Sequence, residues 1–491
     1  MLTECEVVSA APRPAWRGWV FPAVLVWATL CSFSFLWVPG YWGDEAATVT
    51  MASMPWHEFV AALRRVDAVH GVHYLAMRGW TAMFGFSPLS TRALSALAVA
   101  LTSLAIVGLA GELKRERAGL FAAVAYPLLP GVLWMAGEAR SYALSGLAAT
   151  VMVWAGVRVW SRPQQATAWL VWVMAAVVGA WVFLFSIFAL PVTLLMASPR
   201  RIVQHWRRLF LASVGVLLGV LPIGWLAVSQ RQQVAWIPDV GHWAVGRQVL
   251  LDQFFGGEAL AALVGWGLVV ISVGWARHEH STWMLVAWIL LPTLILAATD
   301  VVLHKSFYQA RYLSFAAPAV ALLIGDTLTR LRPRLASYLV LGVLAAASWP
   351  VFADRLDANS KSSWLAVQEA MVDRVRPGDA WISFGPLMTA AENVYPEPWR
   401  DLVLLNPDPE PPWPTRFIYP RLGGDLTDCL RLEGEGPTRV WYLSDHTSRT
   451  WGVSHEQEDL ALLEGLGYRI AWQSPTLGPV DQTRVYELLR E

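Results

Sequence analysis

The residues best suited to chemistry stand just past the first apolar run, at Tyr41-Trp42-Gly43-Asp44-Glu45. Two adjacent carboxylates where a chain has just left a bilayer can serve as a general base or as metal ligands. They equally suit a solvated loop, or a helix start with Asp44 as the N-cap. Further on, His70-Gly71-Val72-His73-Tyr74 offers two imidazoles able to hold a metal or a phosphate, or simply to pack. Two more mixed clusters follow. One is Glu138-Ala139-Arg140-Ser141-Tyr142; the other gathers Lys305, Tyr308, Gln309, Arg311 and Tyr312 ahead of Pro318. Ionisable groups at membrane depth are costly and so have a partner or a function, although Arg140 and Arg311 could also snorkel to lipid headgroups. Tyr41, Trp42 and Tyr142 could stack on a sugar or lipid tail, or anchor the chain at the interface.

The elements that must position these groups are membrane helices. Of 491 residues, 56% are hydrophobic and 15% charged, against about 25% charged in a soluble domain. Together with 29 tryptophans, this excludes a water-soluble enzyme, a disordered chain and a disulfide scaffold. A net charge of zero gives no global basic field for nucleic acid. Cys5, Cys31 and Cys429 are far apart and form no CxxC pair, so neither a disulfide nor a cysteine metal site is expected. The only lysines are Lys114, Lys305 and Lys361; arginine makes up the rest of the 37 basic residues, a high-GC bacterial composition.

Uncharged runs long enough to cross a bilayer lie at 18–43, 93–111, 118–137, 141–157, 163–199, 209–230, 259–276, 281–299 and 335–353. The first is too long for the apolar core of a cleaved signal peptide and reads as an uncleaved span. The run 163–199 is long enough for two crossings with a turn near Phe185–Ser186, and 312–325 adds another. The expectation is a polytopic α-helical membrane protein with about eleven transmembrane helices. With the N-terminus cytoplasmic, the inside loops hold 15 Arg and Lys in 57 residues and the short outside loops hold 8 in 103. That asymmetry sets the orientation, and it puts all three mixed clusters on the outer side.

The transmembrane part is expected to be 1–353, with a long first outer loop, 39–88, holding amphipathic helices at Met54–Val66 and 74–86 that lie in the interface plane. Residues 354–491 read as a small extracytoplasmic α/β domain. Its helices are expected at Ser362–Arg374 and Gln457–Leu466, and its strands at Ala380–Phe384, Leu402–Leu405, Arg439–Leu443 and Tyr468–Gln473. Eight prolines between Pro396 and Pro420 mark an irregular loop. No internal repeat is visible, and no matching pair of broken spans of the kind found in many transporters.

The ordered set of Gly43-Asp44-Glu45-Ala46 after span one, the His-Gly-x-x-Tyr-type segment, Arg92-Ala93-Leu94-Ser95, Glu138-Ala139-Arg140-Ser141-Tyr142 and a late Arg311-Tyr312-Leu313 before a proline resembles the GT-C superfamily of integral membrane glycosyltransferases. Within it the chain is most similar, over residues 18–330, to the family-39-like group that includes bacterial lipid A aminoarabinose transferases and protein mannosyltransferases. The resemblance implies Asp44 as catalytic base with Glu45 beside it, a Glu138, Arg140 and Tyr142 cluster, and Arg311 facing a lipid phosphate. One departure is Gly71-Val72-His73-Tyr74, where many members carry Pro-Pro-Leu-Tyr-Tyr, so the acceptor class does not carry over.

No phosphate-binding glycine motif for nucleotides is present, and the acidic site faces the side without nucleotide sugars. A polyprenyl-phosphate sugar donor reconciles both facts. Asp44 would deprotonate an acceptor hydroxyl on a glycan, glycolipid or protein as it attacks the anomeric carbon, with inversion. Arg311, Lys305, Arg140 and His70 would receive the departing phosphate, and Glu138, Tyr142, His73, Tyr74, Tyr312 and Trp42 would line the substrate. A divalent metal, if used, would sit on Asp44, Glu45 and His70. Mannose is the first expectation for the sugar and arabinofuranose the second, in a bacterial plasma membrane. The rivals are a transporter or flippase of lipid-linked sugars, and a scaffold binding wall material through Trp364, Trp381, Trp399 and Trp441.

Overall fold

The computed structural model describes residues 17–234, 242–303, 307–383, 388–405, 437–444 and 456–490. Helix α1 (Arg17–Phe33) leads into four helices of the first long connection and second span: α2 (Gly43–Ser53), α3 (Trp56–Leu63), α4 (Gly71–Phe84) and α5 (Pro88–Glu112). Next come α6 (Glu116–Ala125), α7 (Pro130–Ala136), α8 (Tyr142–Ser161), α9 (Ala166–Val182), α10 (Pro199–Gln204) and α11 (Trp206–Ser229). The bundle is completed by α12 (His242–Arg247), α13 (Gln253–Phe255), α14 (Ala259–Trp275), α15 (His280–Leu303), α16 (Ala317–Arg330), α17 (Arg334–Ala347) and α18 (Trp349–Ala353).

Among the described residues, five helical stretches are long and apolar enough to cross a membrane: α5, α8, α11, most of α15, and Ala310–Arg330, a 3₁₀ turn running into α16. Three further helix pairs pass the same test but are sharply bent, and three apolar helices are shorter. Packing separates centre from rim. The Ala310–Arg330 window is 89% buried and the α11 window 17%, so α16 is the hub while α11 turns Leu217, Leu218, Leu221 and Trp225 outward. The GxxxG of α11 packs within the molecule: Gly219 meets Val177 of α9, and its carbonyl accepts from Trp181 Nε1 at 2.8 Å.

The bends were not legible in the runs of uncharged residues. The α6–α7 pair turns by 63° where Leu129, extended ahead of Pro130, cannot continue the helix. The second pair turns by 88° at Gly256 and Gly257, both left-handed, and the third by 51° ahead of Pro350. The run 163–199 breaks at extended Phe183, two residues before the expected turn, and continues as 3₁₀ helix through Met196.

The first long connection, 39–88, is more helical than expected. Asp44 and Glu45 stand in the first turn of α2, where the helix dipole favours negative charge; the N-cap is Trp42, not Asp44. The expected Met54–Val66 helix is the shorter α3. The helix expected at 74–86 is α4, which begins at Gly71 and so takes in His73, expected in a loop. Arg78 of α4 donates to the Ala52 and Met54 carbonyls at the C-terminus of α2.

After the bundle come α19 (Trp364–Met371), β1 (Ala380–Ser383), β2 (Val403–Leu404), β3 (Arg439–Ser444), α20 (Glu456–Gly465), β4 (Tyr468–Gln473) and β5 (Arg484–Arg490). The sheet order is β2-β1-β3-β5-β4, parallel among β2, β1 and β3 and antiparallel at β5 and β4. Strand β5 is the element that the sequence pattern did not reveal. Alternation along the strands sends two sets of side chains to opposite faces. Ile382, Val440, Tyr442 and Leu488 form one core with Leu463 of α20. Trp381, Trp441, Leu443 and Val485 form the other with α19, Trp399 and Tyr41, Ala46 and Val49 of the α2 region. Trp364, Trp381, Trp399 and Trp441 are at most 2% exposed. They are core, which removes the surface that the scaffold reading required. Most of the proline-rich loop falls at 406–436, outside the described residues.

The hub sets a packing limit that can be measured. A Cβ at Gly325 of α16 would stand 2.3 Å from the Ala118 carbonyl of α6, whereas one at Gly342 of α17 would meet nothing within 4 Å. Gly325→Leu is expected to abolish the monodisperse size-exclusion peak of the detergent-extracted protein. Gly342→Leu is expected to keep it.

Candidate active site

The two adjacent carboxylates part company. Neighbouring helix residues point about 100° apart, and here Glu45 turns toward Arg92 while Asp44 turns toward Arg140 and Arg311. Glu45 is fully buried and forms a two-point ion pair with Arg92 of α5, Nε to Oε1 at 2.8 Å and Nη2 to Oε2 at 2.7 Å. Arg92 spends its remaining N–H groups on the carbonyls of Leu36, Pro39 and Gly40. Glu45 also accepts from the Ala139 N–H at 3.0 Å and lies 3.3 Å from Lys361 Nζ. Burial opposes its charge, but Arg92 and Lys361 outweigh this and hold its carboxyl below the usual range.

Lys361, arriving after the bundle, lies between Glu45 and Glu138 and reaches Glu138 Oε1 at 2.6 Å. Glu138 accepts from Trp42 Nε1 at 2.8 Å as well. Burial, with the charge of Glu45 beside it, pushes the Glu138 carboxyl upward despite Lys361. Glu45 and Glu138, both expected at the substrate, are thus enclosed in a buried brace of two acids and two cations.

Asp44 faces the other way. Arg140 Nη2 lies 3.6 Å from its Oδ1 and Arg311 Nη1 3.4 Å from its Oδ2. Arg140 donates to Tyr74 Oη at 2.8 Å, and Tyr74 donates to Asp67 Oδ2 at 2.9 Å. Asp67 is left-handed at φ 54°, a conformation that short polar side chains tolerate best. It is held there by Gln233, whose Oε1 accepts the Asp67 N–H at 2.8 Å, while Gln230 takes the next amide. Trp42 and Tyr312 place their rings within 6 Å of the Arg311 guanidinium. Tyr142, Phe183 and Tyr312 form an aromatic wall beside it.

His70 and His73 are buried. His70 Nδ1 lies 3.0 Å from Ser141 Oγ, and His73 Nε2 donates to the Ala139 carbonyl at 3.2 Å. Burial, reinforced by Arg140, depresses His70 to about 3; burial together with the neighbouring His70 does the same to His73. Both environments favour the neutral imidazole. The expected metal set does not converge either: Glu45 is committed to Arg92, and among the described residues no three His, Cys, Asp or Glu side chains gather to hold an ion. Lys305 lies outside the described residues.

Three residues of this region escaped sequence reasoning as site components. Arg92 had a signal, since it interrupts an otherwise apolar run. Lys361 had a fainter one, as one of three lysines. Asp67 had none, because its place depends on a left-handed turn fixed by distant glutamines.

Two measurements follow from this geometry. Removing one partner of a buried ion pair costs about 3–5 kcal/mol, so Arg92→Leu or Glu45→Leu is expected to lower the melting temperature sharply. The double variant should lose less than the sum of the two. The histidine pKa values fall from an ordinary value near 6.5 to about 3 on folding, so their stabilising contribution is complete above pH 6.5 and is lost as pH falls toward 3. The melting temperature should drop between pH 7 and pH 5, with a shallower slope in His73→Phe.

The fold has known counterparts. ArnT from Cupriavidus metallidurans bound to undecaprenyl phosphate superposes with a TM-score of 0.61 at 15% identity, covering 96% of this chain and 98% of that one. Its apo state gives 0.62 at 14% identity with the same coverage. The apo oligosaccharyltransferase of Archaeoglobus fulgidus gives 0.51 at 10% identity, covering 89% and 71%. No protein-family model and no curated protein sequence matches the chain. The resemblance expected from the motifs therefore holds at the level of architecture: this chain shares its fold with ArnT and with the archaeal oligosaccharyltransferase.

Proposed function

We propose that the protein is an inverting glycosyltransferase that moves a sugar from a polyprenyl-phosphate donor to an acceptor hydroxyl outside the cytoplasm, with Asp44 as general base. The observation that carries this reading is the Asp44 carboxylate set between Arg140 and Arg311, in a fold shared with a protein crystallised with undecaprenyl phosphate. The charge asymmetry of the loops supports a cytoplasmic N-terminus and about eleven crossings. That orientation would put Asp44 and residues 354–491 on the outer side.

In the reaction, the acceptor oxygen attacks the anomeric carbon from the face opposite the phosphate. The bond from that carbon to the phosphate oxygen breaks, and its electron pair leaves with the polyprenyl phosphate. The acceptor proton passes to Asp44, help worth about 10²–10⁴-fold. Arg311 and Arg140 are the cations for the departing phosphate, preorganised where little water competes. Before the donor arrives, the same two guanidiniums offset the charge of Asp44; a phosphate that draws them away leaves the carboxylate to accept the proton. His70 supplies hydrogen bonding without charge. Tyr142, Tyr312 and Trp42 line the path of sugar or lipid, and His73 and Tyr74 hold the wall behind Arg140. Glu45 and Glu138 act as braces rather than reactants. Mannose and arabinofuranose are the sugars to try first.

The test compares wild type and Asp44→Asn in membranes given radiolabelled polyprenyl-phosphate mannose or arabinofuranose, with and without chelator. Wild-type transfer that falls at least about 100-fold in the variant is the expected result. Equal consumption of donor by both proteins would remove Asp44 as the base. Translocation of intact donor, with no transfer by either protein, would point to a flippase instead.

A further inference from the structure

Asp67, in the connection between α3 and α4, is held in a conformation that costs free energy. Its φ of 54° is left-handed, a region that a non-glycine residue keeps when the surrounding structure imposes it, and such residues cluster at functional sites. The imposing groups come from the end of α11. Gln233 Oε1 accepts the Asp67 N–H at 2.8 Å, and Gln230 Oε1 accepts the Ala68 N–H at 3.0 Å. Gln230 Nε2 also donates to the Leu63 carbonyl at 2.8 Å. Two glutamines, 166 and 162 positions along the chain from the amides they bind, thus clamp the turn.

What the clamp secures is the direction of one hydroxyl. Tyr74 has a single O–H to donate, and Asp67 Oδ2 takes it at 2.9 Å. The phenol oxygen is left to accept, and Arg140 Nη1 donates to it at 2.8 Å. Tyr74 is fully buried, so water does not compete for either bond. The other end of the same guanidinium, Nη2, stops 3.6 Å from Asp44 Oδ1, beyond the length of a hydrogen bond. An arginine beside a carboxylate in a dry site closes, when nothing restrains it, to a two-point pair at about 2.7–2.9 Å. Arg92 and Glu45 do so here, at 2.8 and 2.7 Å. Arg140 and Asp44 are as well placed in charge and sheltered from water, yet stay apart, and the bond to Tyr74 is what holds the guanidinium back.

We propose that Asp67 is a positioning residue: through Tyr74 it keeps Arg140 from closing onto Asp44, and so leaves that guanidinium available to the phosphate of a polyprenyl phosphate. The use made of Arg140 rests on the transferase reading. The restraint itself rests on the contacts among Asp67, Tyr74, Arg140 and Asp44. It needs an acceptor oxygen at residue 67 and a hydroxyl at residue 74.

The experiment uses the full chain in lipid nanodiscs. It measures binding of radiolabelled bare polyprenyl phosphate and, separately, thermal melting without ligand. Asp67→Gly accepts the left-handed backbone and removes the carboxylate, Asp67→Asn keeps an acceptor oxygen, and Tyr74→Phe removes the hydroxyl. Asp67→Gly and Tyr74→Phe are each expected to weaken lipid binding about tenfold, and Asp67→Asn to recover most of that loss. Asp44→Asn is then added to Asp67→Gly. This takes away the carboxylate that captured Arg140, so binding should return to the level of Asp44→Asn alone. A residue that merely supports the fold would give no such recovery. In the melting experiment Asp44→Asn should lower Tm more in the Asp67→Gly background than in wild type, because there it breaks a closed pair. Unchanged lipid binding in both Asp67→Gly and Tyr74→Phe, or a loss that Asp44→Asn does not restore, overturns the proposal. Failure of wild type to bind polyprenyl phosphate counts against the transferase reading instead. The melting comparison then decides alone, and equal losses of Tm in the two backgrounds overturn the restraint.

Discussion

The arrangement of this end of the molecule depends on one buried ion pair, Glu45 with Arg92. An arginine without water needs all five N–H groups satisfied, and Arg92 meets that demand with Glu45 and the carbonyls of Leu36, Pro39 and Gly40. It therefore fixes the irregular turn between α1 and α2, the first turn of α2, and the distance of both from α5. Glu45 has its own remaining demands, and these draw in the Ala139 amide and Lys361. The turn that carries Glu138 and Arg140 is thereby set relative to α2. Asp44 inherits its direction from this arrangement, because a helix that locks one residue inward determines where its neighbour points.

The segment after the bundle belongs to the same construction. Arg355 donates to the carbonyls of Cys31, Ser32 and Ser34 at the end of α1, and the Gly40 amide donates to the Ala358 carbonyl at 2.8 Å. Ser362 donates to the Tyr41 carbonyl at 2.7 Å, and Lys361 sits between two buried acids. The sheet then covers Tyr41, Ala46 and Val49 with a tryptophan-rich core. The C-terminal residues thus close over the back of α2 while Asp44 is turned toward Arg140 and Arg311. In the proposed reaction, rigidity behind the carboxylate keeps it aligned with Arg140 and Arg311.

Much of the architecture was legible in the residues because it follows from local free energies. Runs without charge must leave water, and α5, α8, α11 and α15 stand where those runs are. The strands expected at Ala380–Phe384, Arg439–Leu443 and Tyr468–Gln473 match β1, β3 and β4 close to their ends. The breaks were less legible. Pro130 and Pro350 announce them only when the helix before them has somewhere else to go, and Gly256 and Gly257 mark a bend only once their left-handed backbone is seen. The candidate site was legible as a set of residue types, Asp44, Arg140, Arg311 and the nearby aromatics, and not as a set of distances.

By itself, the sequence determined that the chain is a membrane bundle with a small α/β unit after it, and that acidic and basic residues cluster at the ends of its spans. Tertiary structure alone decided which of two adjacent carboxylates turns to Arg140 and Arg311 and which becomes a brace. It also decided that both histidines are buried and that Asp67 and Tyr74 back Arg140. The reason is physical. Composition and periodicity report the exchange of one side chain between water and an apolar medium. The partner of a buried charge, 47 residues away for Glu45 and Arg92, is chosen by how helices pack, and no local pattern carries that choice.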